Sequence, residues 1–519
     1  MPDTTLAVSK YSYAECVLTR VLSATLIGLK PQLIEVEVDA IQGTPQFIII
    51  GLASKAVDEA KERITAALLN CGVRIKARRT IVNLAPADLQ KSGSTLELAI
   101  AAGLLQLYGE IAPLPDNCLL VGELSLDGEL KPVRGCLPLV LAAKEFGMTE
   151  VILPTANLPE VGFLESVTLR PIRNLRQLLD VGGNITKLTP HPTQPLKLAK
   201  NKTNTDFASI IGQVAAKRAL EIAVAGNHNI HLVGPPGAGK SMLAQAAISI
   251  LPPLSLDESI AVTMIHSVAG LTTQAGVVIT RPFRAPHHTT TAVGLTGGST
   301  QLLPGEISLA HHGVLFLDEF PEFSRTALEA LRQPLETKMV TITRSTGTTQ
   351  YPANCMLIAA SNPCLCGYWG SSKPCRCTLR ERDRYQNKLS GPLLDRIDVH
   401  VRVGAVSHKQ LATTTKPGEC SKKIRERVAA ARKIQRNRLA KTSATTNGDL
   451  DGKETKQYCR LRDDAKDILV LAGEKLGLSA RSHFKVLKVA QTIADLTAES
   501  VITTEHITEA LQYRPEQNG

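Results

Sequence analysis

The feature that most constrains the fold of this chain is a complete phosphate-binding loop, Gly234-Pro235-Pro236-Gly237-Ala238-Gly239-Lys240-Ser241. It fits the P-loop pattern G-x-x-x-x-G-K-[ST] at every position. An apolar run at 230–233 precedes the loop and a helical pattern at 242–247 follows it, which predicts the strand, loop and helix of an α/β fold. Backbone amides of such a loop bind phosphate oxygens, Lys240 reaches the β- and γ-phosphates, and Ser241 binds Mg²⁺.

A second motif supplies the acidic half of the same chemistry. The apolar run Val314-Leu315-Phe316-Leu317 predicts a buried strand, and Asp318 and Glu319 follow it directly. Asp318 would bind Mg²⁺ through its water shell, and Glu319 would polarise the attacking water. The two motifs together predict hydrolysis of a nucleoside triphosphate, with ATP and Mg²⁺ as the expected cofactors.

Composition predicts several domains in a chain of 519 residues. Strand and helix patterns alternate in the first block, for example a half-exposed strand at 34–38 and an amphipathic helix at 56–69. The expected blocks are an α+β domain at 1–185, a Thr-, Pro- and Lys-rich linker at 186–206, the nucleotide-binding α/β block at 207–405, and a helical block at 406–519 with a mobile polar loop at 441–456.

Bulk properties favour a cytoplasmic protein with a polyanionic partner. No apolar run approaches ~18 residues, so we expect no membrane-spanning helix, and the N-terminus lacks the pattern of a secretory signal. The net charge of +11 and the pI near 9.1 favour nucleic acid as a partner. Scattered cysteines favour a reducing compartment; they are Cys16, Cys71, Cys118, Cys136, Cys355, Cys420 and Cys459.

Four further segments carry a family resemblance. They are Ile211-Gly212-Gln213, Arg281-Pro282-Phe283-Arg284-Ala285-Pro286-His287-His288, Pro304-Gly305-Glu306-Ile307-Ser308-Leu309-Ala310-His311 and Gly391-Pro392-Leu393-Leu394-Asp395-Arg396-Ile397-Asp398. The chain resembles the Mg-chelatase-like AAA+ ATPases, and within them the YifB/ComM family, over nearly its whole length. The resemblance implies an α/β P-loop AAA+ module with a C-terminal helical lid, plus an N-terminal α+β domain like that of Lon protease.

The resemblance also assigns three further catalytic residues. Asn362, which follows an apolar run at 356–360, resembles the sensor-1 residue that orients the attacking water; a turn-capping Asn is the alternative. Arg396 resembles the arginine finger presented to a neighbouring subunit's ATP, with an ion pair to a nearby Asp as the alternative. Arg481 resembles the sensor-2 arginine of the lid, or is a solvated surface residue. A finger acts in trans, so the resemblance implies a ring, expected to be a homo-hexamer.

A hairpin pattern at 340–351 lies just before the sensor-1 strand. In related ring motors such a hairpin points into the central channel. Lys338 and Arg344 would then face a nucleic-acid backbone. An ordinary surface hairpin with solvated cations is equally consistent with the pattern.

Four cysteines lie close together in sequence, Cys364, Cys366, Cys375 and Cys377. Four thiolates satisfy tetrahedral Zn²⁺, so zinc is the expected ligand; reduced thiols without metal and an iron–sulfur cluster are the alternatives. Trp369 and Arg376 in the same loop offer a stacking face and positive charge for DNA. A staple that rigidifies the subunit interface is the competing interpretation, and the two are compatible.

Two other segments bear on function. The segment 121–135 resembles the Lon proteolytic domain, whose chemistry needs a serine activated by a lysine. Aligned through Gly93 and Gly135, the serine position falls near Thr95 and the lysine position near Leu137, so we expect no proteolysis. The basic helix pattern at 422–438 is either a solvated face or a phosphate-tracking surface.

These patterns favour a DNA-dependent AAA+ ring motor that translocates on DNA or drives branch migration, on single-stranded or branched substrates. The family resemblance implies a role in recombination during natural transformation. The alternative is a chelatase-type ATPase that remodels a protein partner. An ATP-dependent protease is disfavoured by the missing serine–lysine pair.

Overall fold

The structure is a computed structural model, and it describes residues 18–51, 55–76, 78–86, 91, 94–196, 205–272, 276–299, 302–344, 347–371, 373–389, 391–406 and 418–515. The described residues form two compact units. The first takes its residues from 1–196 and 267–277, and the second from 197–266 and 278–519.

A mixed seven-stranded sheet organises the first unit, in the order β3-β4-β2-β1-β5-β8-β9. The predicted alternation at 34–38 is confirmed, since Ile34, Val36 and Val38 of β2 are buried in the hydrophobic core of this unit. The strands, including a separate β6–β7 hairpin, are β1 Thr19–Ile27, β2 Lys30–Ile41, β3 Gln46–Ile50, β4 Arg79–Ala85, β5 Cys118–Leu120, β6 Glu123–Leu124, β7 Leu130–Lys131, β8 Glu150–Pro154 and β9 Thr168–Ile172.

Five helices complete this unit: α1 Lys55–Asn70, α2 Glu97–Tyr108, α3 Cys136–Ala143, α4 Leu158–Val161 and α5 Arg176–Asp180. Neither position of the Lon-type catalytic pair carries the needed chemistry. Thr95 donates its hydroxyl to the carbonyl of Ala24 at 3.3 Å, and Leu137 is an apolar, fully buried residue of α3. These two positions therefore hold no serine–lysine pair.

The predicted boundaries of the first block need two corrections. Residues 186–196, expected to begin a linker, belong to the first unit, because Leu188 is buried and the amide of His191 donates to the carbonyl of Leu169 at 2.8 Å. Residues 267–277, expected in the ATPase block, also belong to this unit. There the amide of Gly135 donates to the carbonyl of Ser267 at 3.0 Å.

The second unit is built on a five-stranded parallel sheet in the order β11-β12-β15-β10-β16. The apolar runs before the P-loop and before Asp318 both form strands of this sheet, as predicted, and β15 lies between them. The strands of the unit, with the β13–β14 hairpin, are β10 Ile230–Val233, β11 Phe283–Arg284, β12 Val314–Leu317, β13 Met339–Arg344, β14 Gly347–Pro352, β15 Met356–Ser361 and β16 Val399–Arg402.

The helical block at the C-terminal end shares one hydrophobic core with the sheet. Val428, Val486 and Ile507 join the same buried cluster as Ile230 and Ile358. The helices, in chain order, are α6 Val214–Gly226, α7 Lys240–Ile250, α8 Leu256–Val268, α9 Ala292–Thr296, α10 Glu306–Leu309, α11 Arg325–Ala330, α12 Arg332–Thr337, α13 Leu379–Gln386, α14 Gly391–Leu394, α15 Ser421–Arg438, α16 Gly452–Tyr458, α17 Asp463–Leu476, α18 Ala480–Leu496 and α19 Thr504–Gln512.

The prediction of a mobile loop at 441–456 is wrong. The segment contains a short 3-10 turn and the start of α16, and both begin with a capping box. Asn447 is fully buried and donates to Thr492 Oγ1 at 2.9 Å and to Asp495 Oδ2 at 2.8 Å. This polar segment adopts an ordered structure because its buried polar groups form hydrogen bonds with other buried polar residues.

The basic helix α15 uses several of its cations inside the unit. Arg427 pairs with Glu221 and Glu419, and Arg432 donates to the carbonyl of Val224 at 2.7 Å. Arg438 makes two bonds to the buried carboxylate of Asp495, at 2.6 and 2.7 Å. These contacts hold the helix within the unit and occupy the three guanidinium groups with partners of the same chain.

Among the helices described, none has the length and hydropathy needed to cross a lipid bilayer.

Because Asn447 links Arg438, Asp495 and Thr492, we expect Asn447→Ala to lower the free energy of unfolding of the second unit by about 2–3 kcal/mol. Urea unfolding followed by the fluorescence of Trp369, the sole tryptophan of the chain, measures this change. Lys453→Ala, at an exposed position of the same segment, is the matched control. Equal stability of the two variants would contradict the buried network.

Candidate functional site

The P-loop lies where sequence predicted, at the carboxyl end of β10 and the start of α7. Gly239 has φ 85°, a left-handed conformation that glycine adopts without strain, and it begins the helix at Lys240. The amide nitrogens of the first helical turn lack intrahelical partners and are available to phosphate oxygens. The loop therefore has the geometry of an anion-binding site at a helix N-terminus.

The two magnesium candidates come together across neighbouring elements. Ser241 Oγ lies 2.8 Å from Asp318 Oδ2, although 77 positions separate the residues in sequence. Both residues follow the carboxyl ends of parallel strands, which places them at the same edge of the sheet. The pair has the hydroxyl and carboxylate oxygens that Mg²⁺ prefers.

Glu319 has the strained backbone found at many functional sites. Its φ is 50°, in the left-handed region that a glutamate rarely adopts. Its carboxylate lies 3.0 Å from Nδ1 of His288, which follows β11 at the edge of the sheet. The imidazole therefore contacts the group predicted to polarise the attacking water.

Asn362 and Lys240 are in direct contact. Lys240 Nζ donates to Asn362 Oδ1 at 3.1 Å and to the carbonyls of Gly234 and Pro235 at 2.6 and 3.1 Å. Burial lowers the pKa of Lys240, and the charge of Asp318 acts in the opposite direction. We call Lys240, Ser241, Asp318, Glu319, Asn362 and His288 the carboxyl-edge cluster.

Arg396 lies at the opposite edge of the same sheet. Asn229, the residue before β10, donates its Nδ2 to the carbonyl of Arg396 at 2.9 Å. Ile230 is paired with Val399, so both strands begin at this edge. A four-residue parallel strand is about 13 Å long, which exceeds the reach of one arginine side chain. Arg396 is therefore remote from the P-loop of its own subunit.

Arg481 joins Arg396 at this edge. Arg396 Nη2 donates to Glu336 Oε2 at 2.8 Å, and Arg481 donates to the other oxygen of the same carboxylate. One turn after Arg481, Lys485 Nζ donates to the carbonyl of Ile397 at 2.9 Å. Partial burial acts to raise the pKa of Glu336, but the two arginines outweigh it and lower the pKa. These three residues, Arg396, Arg481 and Glu336, form the amino-edge cluster.

The four predicted metal-ligand cysteines converge. Their Sγ atoms all lie within 4.8 Å of one another, and three of the separations are 3.4, 3.5 and 3.7 Å. A tetrahedral tetrathiolate zinc site, with Zn–S bonds of about 2.3 Å, has S···S edges of about 3.8 Å. The amides of Cys366 and Trp369 donate to Cys377 Sγ and Cys364 Sγ, both at 3.3 Å. Such N–H···S bonds are typical of the surroundings of metal ligands.

The thiols also affect each other's ionisation. Hydrogen bonds from backbone N–H groups lower the pKa of Cys366 to about 6. Backbone hydrogen bonds also act to lower the pKa of Cys375 and Cys377, but the neighbouring thiols Cys364 and Cys366 contribute to a net rise. A bound divalent cation would relieve this conflict by stabilising all four thiolates.

The DNA-contact candidates differ in accessibility. Arg376 and Arg344 are exposed and Lys338 is half-buried, and Arg344 Nε donates to the carbonyl of Gly298 at 2.9 Å. The guanidinium carbons of Arg382 and Arg402 lie 5.4 and 5.9 Å from the ring centroid of Trp369. A base that stacks on a ring face covered by one of these cations would therefore displace it.

Sequence reasoning missed two participants. His288 receives no role from the sequence, although its position after a strand of the parallel sheet places it at the carboxyl edge, where Glu319 also lies. Glu336, which holds both arginines, carries no motif and has no local signal. The roles predicted for the other site residues stay predictions, now with defined neighbours.

Family comparisons match three consecutive parts of the chain. Residues 36–157 match the family described as subunit ChlI of Mg-chelatase. Residues 206–411 match magnesium chelatase, subunit ChlI, and residues 418–514 match its C-terminal part. These matches confirm the predicted AAA+ module with a helical C-terminal region.

Curated relatives cover nearly the whole chain. Competence protein ComM of Haemophilus influenzae is 39% identical over 499 residues, which is 95% of this chain and 97% of that protein. The uncharacterized protein YifB of Escherichia coli is 38% identical over 492 residues, 94% of this chain and 95% of that protein. Lon protease 2 of Bacillus subtilis is 26% identical over 184 residues, 33% of this chain and 32% of that protein.

We expect His288→Ala to lower kcat for ATP hydrolysis about tenfold, or ~1.4 kcal/mol, because the imidazole contacts Glu319. Steady-state hydrolysis together with binding of a fluorescent ATP analogue measures the effect, and the dissociation constant of the analogue should not change. Thr289→Ala is the matched control, since Thr289 is exposed and its hydroxyl contacts the ring of His287. An equal loss in both variants would argue against a specific contact with Glu319.

Proposed function

Since the chain belongs to the YifB/ComM family of Mg-chelatase-like AAA+ ATPases, we propose that it is a ring-forming motor that acts on DNA. In this proposal Lys240, Ser241 and Asp318 bind Mg·ATP, and Glu319 and Asn362 orient and polarise the attacking water. Arg396 and Arg481 stabilise the transferring phosphoryl group of a neighbouring copy.

The separation of the two clusters carries the ring proposal. The carboxyl-edge cluster follows β10, β12 and β15, whereas Arg396 precedes β16 at the opposite edge of the sheet. An arginine at the amino edge completes an ATP site only when another copy of the chain presents its carboxyl edge to it. Repetition of this head-to-tail contact closes a ring if the rotation permits, and a homo-hexamer is the form we propose.

Several observations support DNA as the partner. The net charge is +11, and the β13–β14 hairpin carries Lys338 and Arg344 at its base and near its tip. A relative of nearly equal length is named a competence protein. Translocation or branch migration on single-stranded or branched DNA during natural transformation fits these features, with the hairpin contacting the phosphate backbone.

We also propose that Cys364, Cys366, Cys375 and Cys377 hold Zn²⁺. The ligand set and the S···S separations of 3.4–3.7 Å support a closed tetrahedral site. A closed four-thiolate site has no open position for substrate. Its role in this proposal is therefore structural, with Arg376 exposed on the loop for contact with DNA.

A second candidate function is remodelling of a protein partner by a chelatase-type ATPase. The family description, magnesium chelatase subunit ChlI, favours it. The same ring and the same ATP site would serve this activity. The two candidates differ in what stimulates hydrolysis.

We expect single-stranded or branched DNA to raise the ATPase rate at least severalfold at low salt, and the rise to shrink steeply as salt increases. Hydrolysis with single-stranded, duplex and four-way-junction DNA measures this, with Glu319→Gln as the inactive control. A rate indifferent to every DNA, in protein shown to be oligomeric by light scattering, would reject DNA and favour a protein partner.

Because the finger acts in trans, we expect mixed rings of Glu319→Gln and Arg396→Ala subunits to hydrolyse ATP. Each homogeneous variant should lose ~10³-fold or more in kcat. At equal ratio about a quarter of the interfaces pair an intact Glu319 with an intact Arg396 from the next copy, and activity should return in that proportion. A mixture as inactive as its components would place both groups in one subunit's site.

A further inference from the structure

We infer that metal occupancy of the four-cysteine site controls the affinity of the P-loop for ATP. This rests on the zinc site proposed above and gives that site a regulatory role. The metal-binding turn is packed directly against the nucleotide-binding loop and continues from the residue that contacts Lys240. Three structural links carry the inference.

The first link is the contact between Gly367 and Pro236. Gly367 follows the metal ligand Cys366, is buried, and has φ +82°. A Cβ added to it would lie 2.6 Å from Cδ of Pro236 in the P-loop and 3.8 Å from Cγ of Asn362. Carbon atoms attract best at about 3.5–4.0 Å, so no side chain fits between the two loops. The position of the cysteine turn therefore limits the position of the P-loop.

The second link runs through the chain itself. Asn362 is separated from the ligand Cys364 by Pro363 alone, and a proline restricts both its own φ and the residue before it. Cys364 accepts a hydrogen bond from the amide of Gly367 at 2.9 Å, which closes the turn. At the other end of this connection, Asn362 Oδ1 accepts from Lys240 Nζ at 3.1 Å. A shift of Cys364 would thus be transmitted to the P-loop lysine.

The third link anchors the far side of the turn. The amide of Trp369 donates to Cys364 Sγ at 3.3 Å. The guanidinium of Arg402, at the end of β16, lies over the Trp369 ring. β16 is the neighbour of β10, which leads into the P-loop. A metal-bound turn is thereby fixed to the strand and to the loop at once.

These contacts make the two sites thermodynamically linked. With the metal bound, the turn holds Pro236 and Asn362 in the arrangement described. Without it, the four thiols are no longer tied to one centre, the turn is held by its hydrogen bonds alone, and the P-loop loses part of its support. Reciprocity requires that Mg·ATP in turn raise the affinity of the site for zinc by the same factor. Trp369, the sole tryptophan of the chain, reports on the turn directly.

Zinc depletion of the full-length protein tests the inference. Metal content is measured first, then zinc is removed with a chelator, Mg²⁺ is restored, and binding of mant-ATP is measured together with Trp369 fluorescence. We expect zinc at one ion per chain, at least tenfold weaker mant-ATP binding after removal, and recovery when Zn²⁺ is added. Protein that neither contains nor takes up zinc would reject the metal site itself. Unchanged mant-ATP affinity in protein shown to be zinc-free would reject the coupling and leave the metal site standing.

Two glycine variants decide the question if zinc-free protein unfolds. Gly367 and Gly370 both have positive φ, 82° and 72°, so Gly367→Ala and Gly370→Ala impose a similar backbone cost. Only the first places a Cβ against Pro236, because the nearest atom to a Cβ at Gly370 is Arg402 Nη1 at 3.7 Å. We expect Gly367→Ala to weaken mant-ATP binding at least tenfold with zinc content retained, and Gly370→Ala to have little effect. Equal affinities in the two variants would overturn the inference.

Discussion

Parallel strands point all their carboxyl ends at one edge of a sheet, and the organisation of this ATPase depends on that constraint. Loops after β10, β11, β12 and β15 bring the P-loop, His288, Asp318 with Glu319, and Asn362 together, although they span more than a hundred positions of sequence. The loop before β16 lies at the other edge, because it precedes a strand that runs in the same direction. One sheet therefore separates the groups proposed to bind the nucleotide from the arginines proposed to complete its chemistry.

The parts predicted from sequence are those with a local signal. A buried strand followed by a polar residue is visible as a pattern, which is why the P-loop, Asp318 and Asn362 were found and their strands are confirmed. Glu336 has no such signal. Its carboxylate binds two arginines that are distant in sequence and that approach it only in the folded chain. The prediction for segment 441–456 is wrong for a related reason. Its composition is polar, but Asn447 is buried with polar partners that the composition does not reveal.

Net charge is a weaker guide to DNA binding here than the sequence suggests. Arg427, Arg432 and Arg438 of the most basic helix are held by carboxylates or carbonyls of the same unit. The N-terminal unit gives a parallel lesson about fold and activity, since it keeps the Lon-like architecture while Thr95 and Leu137 replace the catalytic pair. In the first case the surroundings of a residue decide what it does, and in the second case the residue type does.

The discontinuous first unit has a consequence for synthesis on the ribosome. Its buried Glu160 accepts from Asn157 on one carboxylate oxygen and from Thr272 on the other, both at 2.7 Å. Thr272 is translated long after the rest of the unit, behind the P-loop and helix α7. The carboxylate of Glu160 in the nascent N-terminal unit therefore lacks one of its two partners until α6, β10, α7 and α8 have left the exit tunnel. The first unit can therefore be completed only after part of the second unit has been synthesised.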